Sequence, residues 1–309
     1  MKKQLVGSLL LLLTAMVWGA GFVAQSEGAQ HIGAFTMLWA RYLLSGLVLL
    51  PVIKICDVRK VSHNRPKGKT ERKKLLVSGC ICGVLLFVAS AFQQIGISYT
   101  TTGKSGFITA LYIIFVPIIA VLLRRKPSPA VWVAAAAAVV GMYFLCINEG
   151  LSVGKGDLLT LACAFSFSFH ILYIDRVSPE LDGVRLSCIQ FFVCSAVAFV
   201  LMLVFEKPDV TAIRSCMIPI LYAGVFSGGV GYTLQIIGQK YVQPSVASLL
   251  MSLESVFAAV FGWMILGQKL SGREILGCVI MFAAIIVAQL PVEKLFGNSG
   301  KGKDDSPVT

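Results

Sequence analysis

Long apolar runs dominate the chain, separated by short polar breaks. The runs fall at roughly 5–24, 33–54, 75–97, 103–123, 130–148, 157–175, 185–205, 216–238, 244–266 and 274–291. Each is close to the roughly 20 residues a helix needs to cross the hydrocarbon core of a bilayer. The pattern predicts ten transmembrane helices joined by short loops. The breaks carry helix-stopping and turn residues: Gln30-His31, Lys126-Pro127-Ser128-Pro129, Asn148-Glu149-Gly150, Ser178-Pro179 and Lys207-Pro208-Asp209. The first run follows Lys2 and Lys3, as in a secretory signal peptide. It lacks a clean A-x-A cleavage site, and many further apolar runs come after it, so it reads as an uncleaved first helix.

Composition removes the soluble alternatives. Of 309 residues, 57% are hydrophobic and 14% are charged. Soluble domains carry roughly 45–50% and about 25%. No single soluble core hides that much apolar surface, and a disordered chain would not carry it. The net charge of +12 gains meaning from its placement. With the N-terminus inside, twenty Lys and Arg fall in cytoplasmic segments, nine of them between Lys54 and Lys74. Six fall outside, and Arg41 lies within a run. The positive-inside rule then puts both termini in the cytoplasm, which requires an even number of spans. The 54–74 stretch reads as the loop that orients the second and third spans beside anionic headgroups, so nucleic acid is not an expected partner.

The nine cysteines are Cys56, Cys80, Cys82, Cys146, Cys163, Cys188, Cys194, Cys216 and Cys278, nearly all inside apolar runs. The tightest pair, Cys80 and Cys82, lacks the second pair of a zinc set. The cysteines read as small packing residues. No metal or other cofactor is expected.

The chain also repeats itself. Gly106–Ser128 aligns without a gap on Leu249–Ser271, so that Tyr112 meets Ser255, Lys126 meets Lys269 and Ser128 meets Ser271. Gln93, Gly96 and Tyr99 meet Gln235, Gly238 and Tyr241 at nearly the same offset. The expected division is 1–148 and 149–291, each of five spans, followed by a polar cytoplasmic tail at 292–309. An odd number of spans turns the second copy upside down in the membrane. Inverted repeats mark secondary transporters, with the binding site near the midplane.

Four segments carry a family resemblance: WGAGFVAQ (18–25), WARYLLSGLVLLP (39–51), FITALYIIFVPIIAVLLRRKPS (107–128) and SLESVFAAVFGWMILGQKLSGREILG (252–277). In this order and spacing they resemble the EamA-type members of the drug/metabolite transporter superfamily, over nearly the whole chain. The resemblance implies an all-α integral membrane bundle of ten helices, built as two inverted five-helix repeats around a central cavity. Spans one to four and six to nine would line the cavity, with spans five and ten peripheral. The implied activity is movement of a small metabolite, often efflux. One departure is Ser255, where many relatives carry proline after the glutamate; here no proline supplies a cause for a kink.

Ionisable side chains inside a span are functional candidates, because they are costly there. Arg41 and Glu254 both fall near mid-depth, and His170 falls in the sixth span. Arg41 has the planar fork that holds a carboxylate. Glu254 suits a substrate amine or a coupling proton. The ordinary histidine titrates near neutral pH, so His170 is a candidate proton relay. The competing reading pairs Arg41 with Glu254, or sets each against a helix end, as glue between repeats, and leaves His170 as a packing residue. A second group is polar or aromatic: Trp18, Gln25, Trp39, Gln93, Gln94, Tyr112, Tyr232 and Gln235. Their polar atoms need partners, so they should face the bundle interior or a cavity. The glycines at 19, 21, 228, 229 and 231 permit close helix packing or local unwinding beside a site. Pro117 points to a kink in the fourth span.

The expected function is secondary transport across the plasma membrane by one repeat rocking against the other. The expected partners are a small amino acid-, amine- or drug-like solute, a coupling proton, the lipid bilayer and, as an open alternative, a second copy of the chain. No GxxxxGK[ST], HExxH or GxSxG motif is present, so an enzyme is not expected. A membrane-embedded enzyme and a receptor or scaffold are the rival classes.

Overall fold

The computed structural model describes residues 2–60, 62, 64–100, 102–146, 153–266 and 271–289. The expected tail at 292–309 and the repeat junction at 148/149 lie outside these residues. Helix is the only regular secondary structure among the described residues, with no strand. In chain order the elements are α1 (Lys2–Ala29), α2 (Ala34–Val58), α3 (Lys69–Ile97), α4 (Thr102–Thr109), α5 (Tyr112–Leu122) and α6 (Pro129–Cys146). The second half holds α7 (Lys155–Val177), α8 (Gly183–Phe205), α9 (Val210–Ser215), α10 (Met217–Leu221), a π-helical segment (Tyr222–Tyr232), α11 (Thr233–Gln239), α12 (Pro244–Met251), α13 (Glu254–Leu266) and α14 (Gly272–Gln289).

Eight described segments are helical, long and apolar enough to cross a membrane, and Pro129–Leu145 is a shorter apolar helix. The last expected span coincides with α14. Three expected spans are not regular α-helices. The fourth is interrupted at Ala110 and Leu111, between α4 and α5. The ninth is interrupted at Ser252 and Leu253, between α12 and α13. Both interruptions are tightened by i to i+3 bonds, such as Ile113 N to Ala110 O (3.1 Å) and Ser255 N to Ser252 O (3.3 Å). Pro117 lies inside α5, more than a turn beyond the break. The ninth span breaks without a proline. Its serines bond back onto the chain instead: Ser248 Oγ to Ser245 O (2.9 Å) and Ser252 Oγ to Leu249 O (2.8 Å). Such back-bonding competes with the helical ladder and bends helices. In the eighth span, the glycine-rich stretch winds as a π-helix, a form found mainly at functional sites.

Helices approach most closely where glycine removes the side chain. A Cβ on Gly7 would fall 2.8 Å from the Gly238 carbonyl oxygen, joining α1 to α11. A Cβ on Gly156 would fall 2.8 Å from the Gly96 carbonyl oxygen, joining α7 to α3. Gly141 and Gly277 do the same between α6 and α14, at 2.9 and 2.6 Å. Helices in lipid gain nothing from burying apolar surface against each other, so close backbone packing of this kind holds them together. The other principal packings are α2 on α8, α3 on α8, α1 on α13 and on the π segment, α2 on the π segment, and α7 on α4 and α5.

Gly156→Ala and Gly277→Ala should each destabilise the fold by roughly 1–3 kcal/mol, because the new methyl meets backbone that cannot yield. Gly68→Ala, with nothing within 4 Å of the new Cβ, should melt like the parent. Thermal denaturation of the purified chain in detergent checks the contrast.

Candidate functional site

The two interruptions bring chemistry to the middle of the bundle. Tyr112 becomes the first residue of α5 and Glu254 the first residue of α13. The Tyr112 hydroxyl donates to Glu254 Oε1 at 3.2 Å. A carboxylate in the first turn of a helix is also favoured by the positive end of the helix dipole. Gly19 of α1 lies directly against this turn: a Cβ there would fall 2.7 Å from the Glu254 carbonyl oxygen. The position of Glu254 therefore depends on the crossing of α1 with α13.

Arg41 is only 3% exposed and Glu254 only 4%. Burying an ion is expensive unless hydrogen bonds or an opposite charge compensate. The mutual ion pair of the competing reading is not formed: no salt bridge among the described residues includes either side chain. Arg41 is held by neutral groups instead. Its Nη1 donates to Gln25 Oε1 (2.5 Å) and its Nη2 to the Tyr42 hydroxyl (2.9 Å), with the guanidinium 4.5 Å from the Tyr42 ring centre. The Tyr42 hydroxyl continues to Ser90 Oγ of α3 at 2.6 Å. Arg41 Nε is buried without a partner. A basic and an acidic side chain thus share one interior without pairing by contact.

Both charges line a cavity of about 30 Å³. Its wall also includes Trp18, Phe22, Gln25, Gln93, Thr109, Tyr112, Phe167, Ser227, Tyr232 and Gln235. One water needs roughly 10–15 Å³ by this measure, and small-molecule sites typically enclose roughly 300–1,000 Å³. The cavity is therefore narrow, with room for water but not for a metabolite.

Eight of the eleven sequence candidates meet at this wall: Arg41, Glu254, Trp18, Gln25, Gln93, Tyr112, Tyr232 and Gln235. The other three do not line it. Gln94 ties α3 to α1 by donating to the Gln25 carbonyl (3.2 Å). His170 is fully buried behind the wall, its ring edge-on to Tyr232 and Phe167. Its Nε2 meets Gln190 Oε1 at 3.1 Å. An amide oxygen only accepts, so Nε2 is the donor in this pair. Trp39 is half-buried against Phe199 of α8, away from the cavity.

The sequence reading did not single out Gln190, Thr109, Ser227 or the carbonyls of the π segment. Gln190 was findable as a polar residue inside an apolar run. The carbonyls were not, because only the folded winding presents them. Trp18 Nε1 donates to Ser227 O (3.0 Å), Ser45 Oγ to Gly224 O (2.7 Å) and Thr14 Oγ1 to Gly231 O (3.2 Å). With its N–H engaged there, Trp18 offers the cavity its ring. Among the described residues no group of His, Cys, Asp and Glu could hold a metal ion.

Comparison with known proteins agrees with this architecture. The EamA-like transporter family matches residues 5–147 and again residues 154–289. A relative from Archaeoglobus fulgidus named "Uncharacterized transporter" is 28% identical over 294 residues, covering 94% of this chain and 88% of that protein. The "Uncharacterized inner membrane transporter YedA" of Escherichia coli (strain K12) is 23% identical over 279 residues, covering 88% and 87%. One solved crystal structure superposes with a TM-score of 0.77 at 18% identity, over 94% of this chain and 99% of that one. At that identity the superposition speaks for the fold alone.

Gln25→Leu removes the Arg41 Nη1 acceptor without changing the helix. It should cost roughly 1–3 kcal/mol or more, the usual penalty for leaving a buried charged donor unmatched. Gln25→Glu, which keeps an acceptor, should cost less. Thermal melting of the two variants beside the parent checks the order.

Proposed function

The chain belongs to the EamA-like transporter family, and we propose that it carries a small metabolite across the cell membrane by alternating access to the cavity between Arg41 and Glu254. The observation that carries this reading is a narrow mid-bundle cavity walled by a buried basic and a buried acidic side chain that do not pair with each other. A purely structural pair would gain by closing on each other in so dry a place. Kept apart, each remains able to meet a complementary group on a solute. Arg41 suits a carboxylate or another anion, Glu254 suits an amine or a proton, and Trp18, Tyr112 and Tyr232 suit an apolar or aromatic body. An amino acid-, amine- or drug-like solute meets these requirements, and a proton on Glu254 would weaken its hold on an amine. Export from the cytoplasm is the expected direction. The distribution of basic residues supports cytoplasmic termini.

Two inverted five-helix halves are the arrangement we infer, and matched backbone contacts support it. Gly7 is the third residue of the first matched segment and Gly156 the third of the second. Gly7 packs on Gly238, and Gly156 packs on Gly96, which is the pairing an internal two-fold would impose. The pattern recurs deeper in the bundle: a Cβ on Gly224 would meet the Arg41 carbonyl at 3.0 Å, and one on Gly83 the Gln190 carbonyl at 2.8 Å. Arg41 and Gln190 are separated by the same 149 residues as Gly7 and Gly156.

We infer two moving bodies that pivot on the extensive α2–α8 packing. One contains α1, α2, α10 with the π segment and α11, and α12 with α13. The other contains α3, α4 with α5, α7 and α8. Each takes helices from both halves, so the motion we propose is between hybrid bodies rather than of one half against the other. The bodies meet along α2 and α8 and across α5 and α12, with the cavity between. The Tyr112 to Glu254 hydrogen bond crosses from one body to the other, so a proton or solute arriving at Glu254 bears directly on the contact between them.

Metabolite differences between cells lacking and overproducing the chain identify the solute, and its flux into sealed proteoliposomes tests transport. Glu254→Gln should lower the flux at least tenfold and flatten its dependence on external pH, whereas Trp39→Leu should leave the KM unchanged. An unchanged rate and pH profile in Glu254→Gln would remove the proposed role, and chemical conversion of the solute would favour a membrane-embedded enzyme.

A further inference from the structure

Sorted by the two bodies, the ionic contacts at the ends of the bundle fall into two kinds. Lys104 with Asp157 (2.6 Å) joins α4 to α7. Arg125 with Asp175 joins the end of α5 to α7, and Lys74 with Glu180 joins α3 to the turn after α7. All three lie within one body, and a motion between bodies leaves them alone. Lys74 holds the exposed Glu180 carboxyl below the ordinary carboxylate value, but so exposed a pair stabilises little.

Two further contacts cross between the bodies, and they stand at opposite ends of the α2–α8 interface. At the end carrying the 59–68 loop, Arg185 of α8 donates to both carboxylate oxygens of Asp57 of α2, at 2.6 and 2.7 Å. The same guanidinium reaches Asp182 (2.5 Å) and Ser62 (3.0 Å). Nη2 serves Asp57 while Nη1 serves Asp182 and Ser62, so one guanidinium joins two carboxylates by charge-assisted hydrogen bonds.

At the other end the contact is of a different kind. The N-cap of α2 is Gly33, which has no side chain to accept from the first free N–H groups. Glu206, the residue that follows α8, supplies the missing cap from the other body. Its Oε1 accepts from Phe35 N (2.8 Å), and its Oε2 accepts from Thr36 N (2.8 Å) and Thr36 Oγ1 (2.7 Å). Glycine at 33 is what admits it: a Cβ there would fall 2.2–2.5 Å from the Glu206 carboxyl group.

We propose that these two contacts are opposed latches: Arg185–Asp57 locks the end bearing the 59–68 loop, Glu206 on the α2 N-terminus locks the other, and the cycle releases one while the other holds. The proposal rests on the alternating-access reading above. A rocking motion about the middle of the α2–α8 interface parts its helices at one end and presses them together at the other. With both latches made, neither end opens fully, which matches the small volume of the cavity. The latches differ in chemistry, a salt bridge at one end and a side-chain helix cap at the other, so each can be weakened without touching the other.

The test uses the full chain with native cysteines replaced and a single reporter, Ser227→Cys, on the cavity wall. A membrane-impermeant maleimide is applied to either face of oriented vesicles. Asp57→Asn should raise labelling from the face of the 59–68 loop about tenfold, and Glu206→Gln should raise it from the opposite face by a similar factor, the effect of removing one charge-assisted contact from one of two competing states. Asp175→Asn, which breaks a contact within one body, should leave both rates unchanged. Equal gains from both faces, gains from the wrong face, or the same effect from Asp175→Asn would overturn the latches. A variant that fails to insert is replaced by Arg185→Lys or Glu206→Asp, for which the same faces are expected. Opposed labelling without solute flux in the unsubstituted chain would instead sink the transporter reading and leave the latches standing.

Discussion

Hydrocarbon offers a buried polar atom no water, so a donor or acceptor left unmatched inside this bundle is costly, and most of the strongest ones are matched by another part of the chain. That constraint organises the interior. The guanidinium of Arg41 is matched by an amide and a phenol, and the carboxylate of Glu254 by a second phenol and a helix end. The carbonyls of the π segment are matched by an indole, a serine and a threonine from α1 and α2. The missing cap of α2 is supplied by a glutamate from the far side of the interface. Because these partners come from different helices, each satisfied polar atom also fixes how two helices sit.

The basic and acidic side chains on the cavity wall stand apart. They are stabilised separately and left without each other. A bundle selected only for stability would replace them with apolar residues of similar volume, a change that is often neutral or stabilising. Their separation is intelligible where a third party completes the set. The interruptions at Ala110-Leu111 and Ser252-Leu253 belong to the same logic. Irregular backbone is tolerated at membrane depth where it lines a cavity, and both interruptions deliver a side chain to this one.

Much of the architecture was legible in the chain because its causes are local. Hydropathy marks the spans, loop charge supports an orientation, and the offset between Gly106–Ser128 and Leu249–Ser271 exposes the internal likeness. The rule that a charge in a span is costly singled out Arg41 and Glu254, and both line the cavity. Other features depend on partners that no local pattern names. His170 has the same type and depth as a functional residue, yet the fold turns it behind Tyr232 onto Gln190. Trp39 and Trp18 read alike, but only Trp18 finds a carbonyl on the cavity side. The break beside Glu254 has no proline to announce it and follows from serines bonding back onto their own helix. Glu206 looks like a loop acid until Gly33 is seen to leave the α2 N-terminus open to it.

In the proposed cycle two bodies, each drawn from both halves of the chain, close around the cavity and open at alternate ends. Spin labels in lipid nanodiscs test it through two distances, one from His31 to Tyr99 and one from Leu5 to Arg124, which span the bodies at opposite ends of the bundle. The account predicts two populations at each end, with solute or pH changes lengthening one distance as they shorten the other. A single unchanging distance at both ends, or two distances that lengthen together, would contradict it.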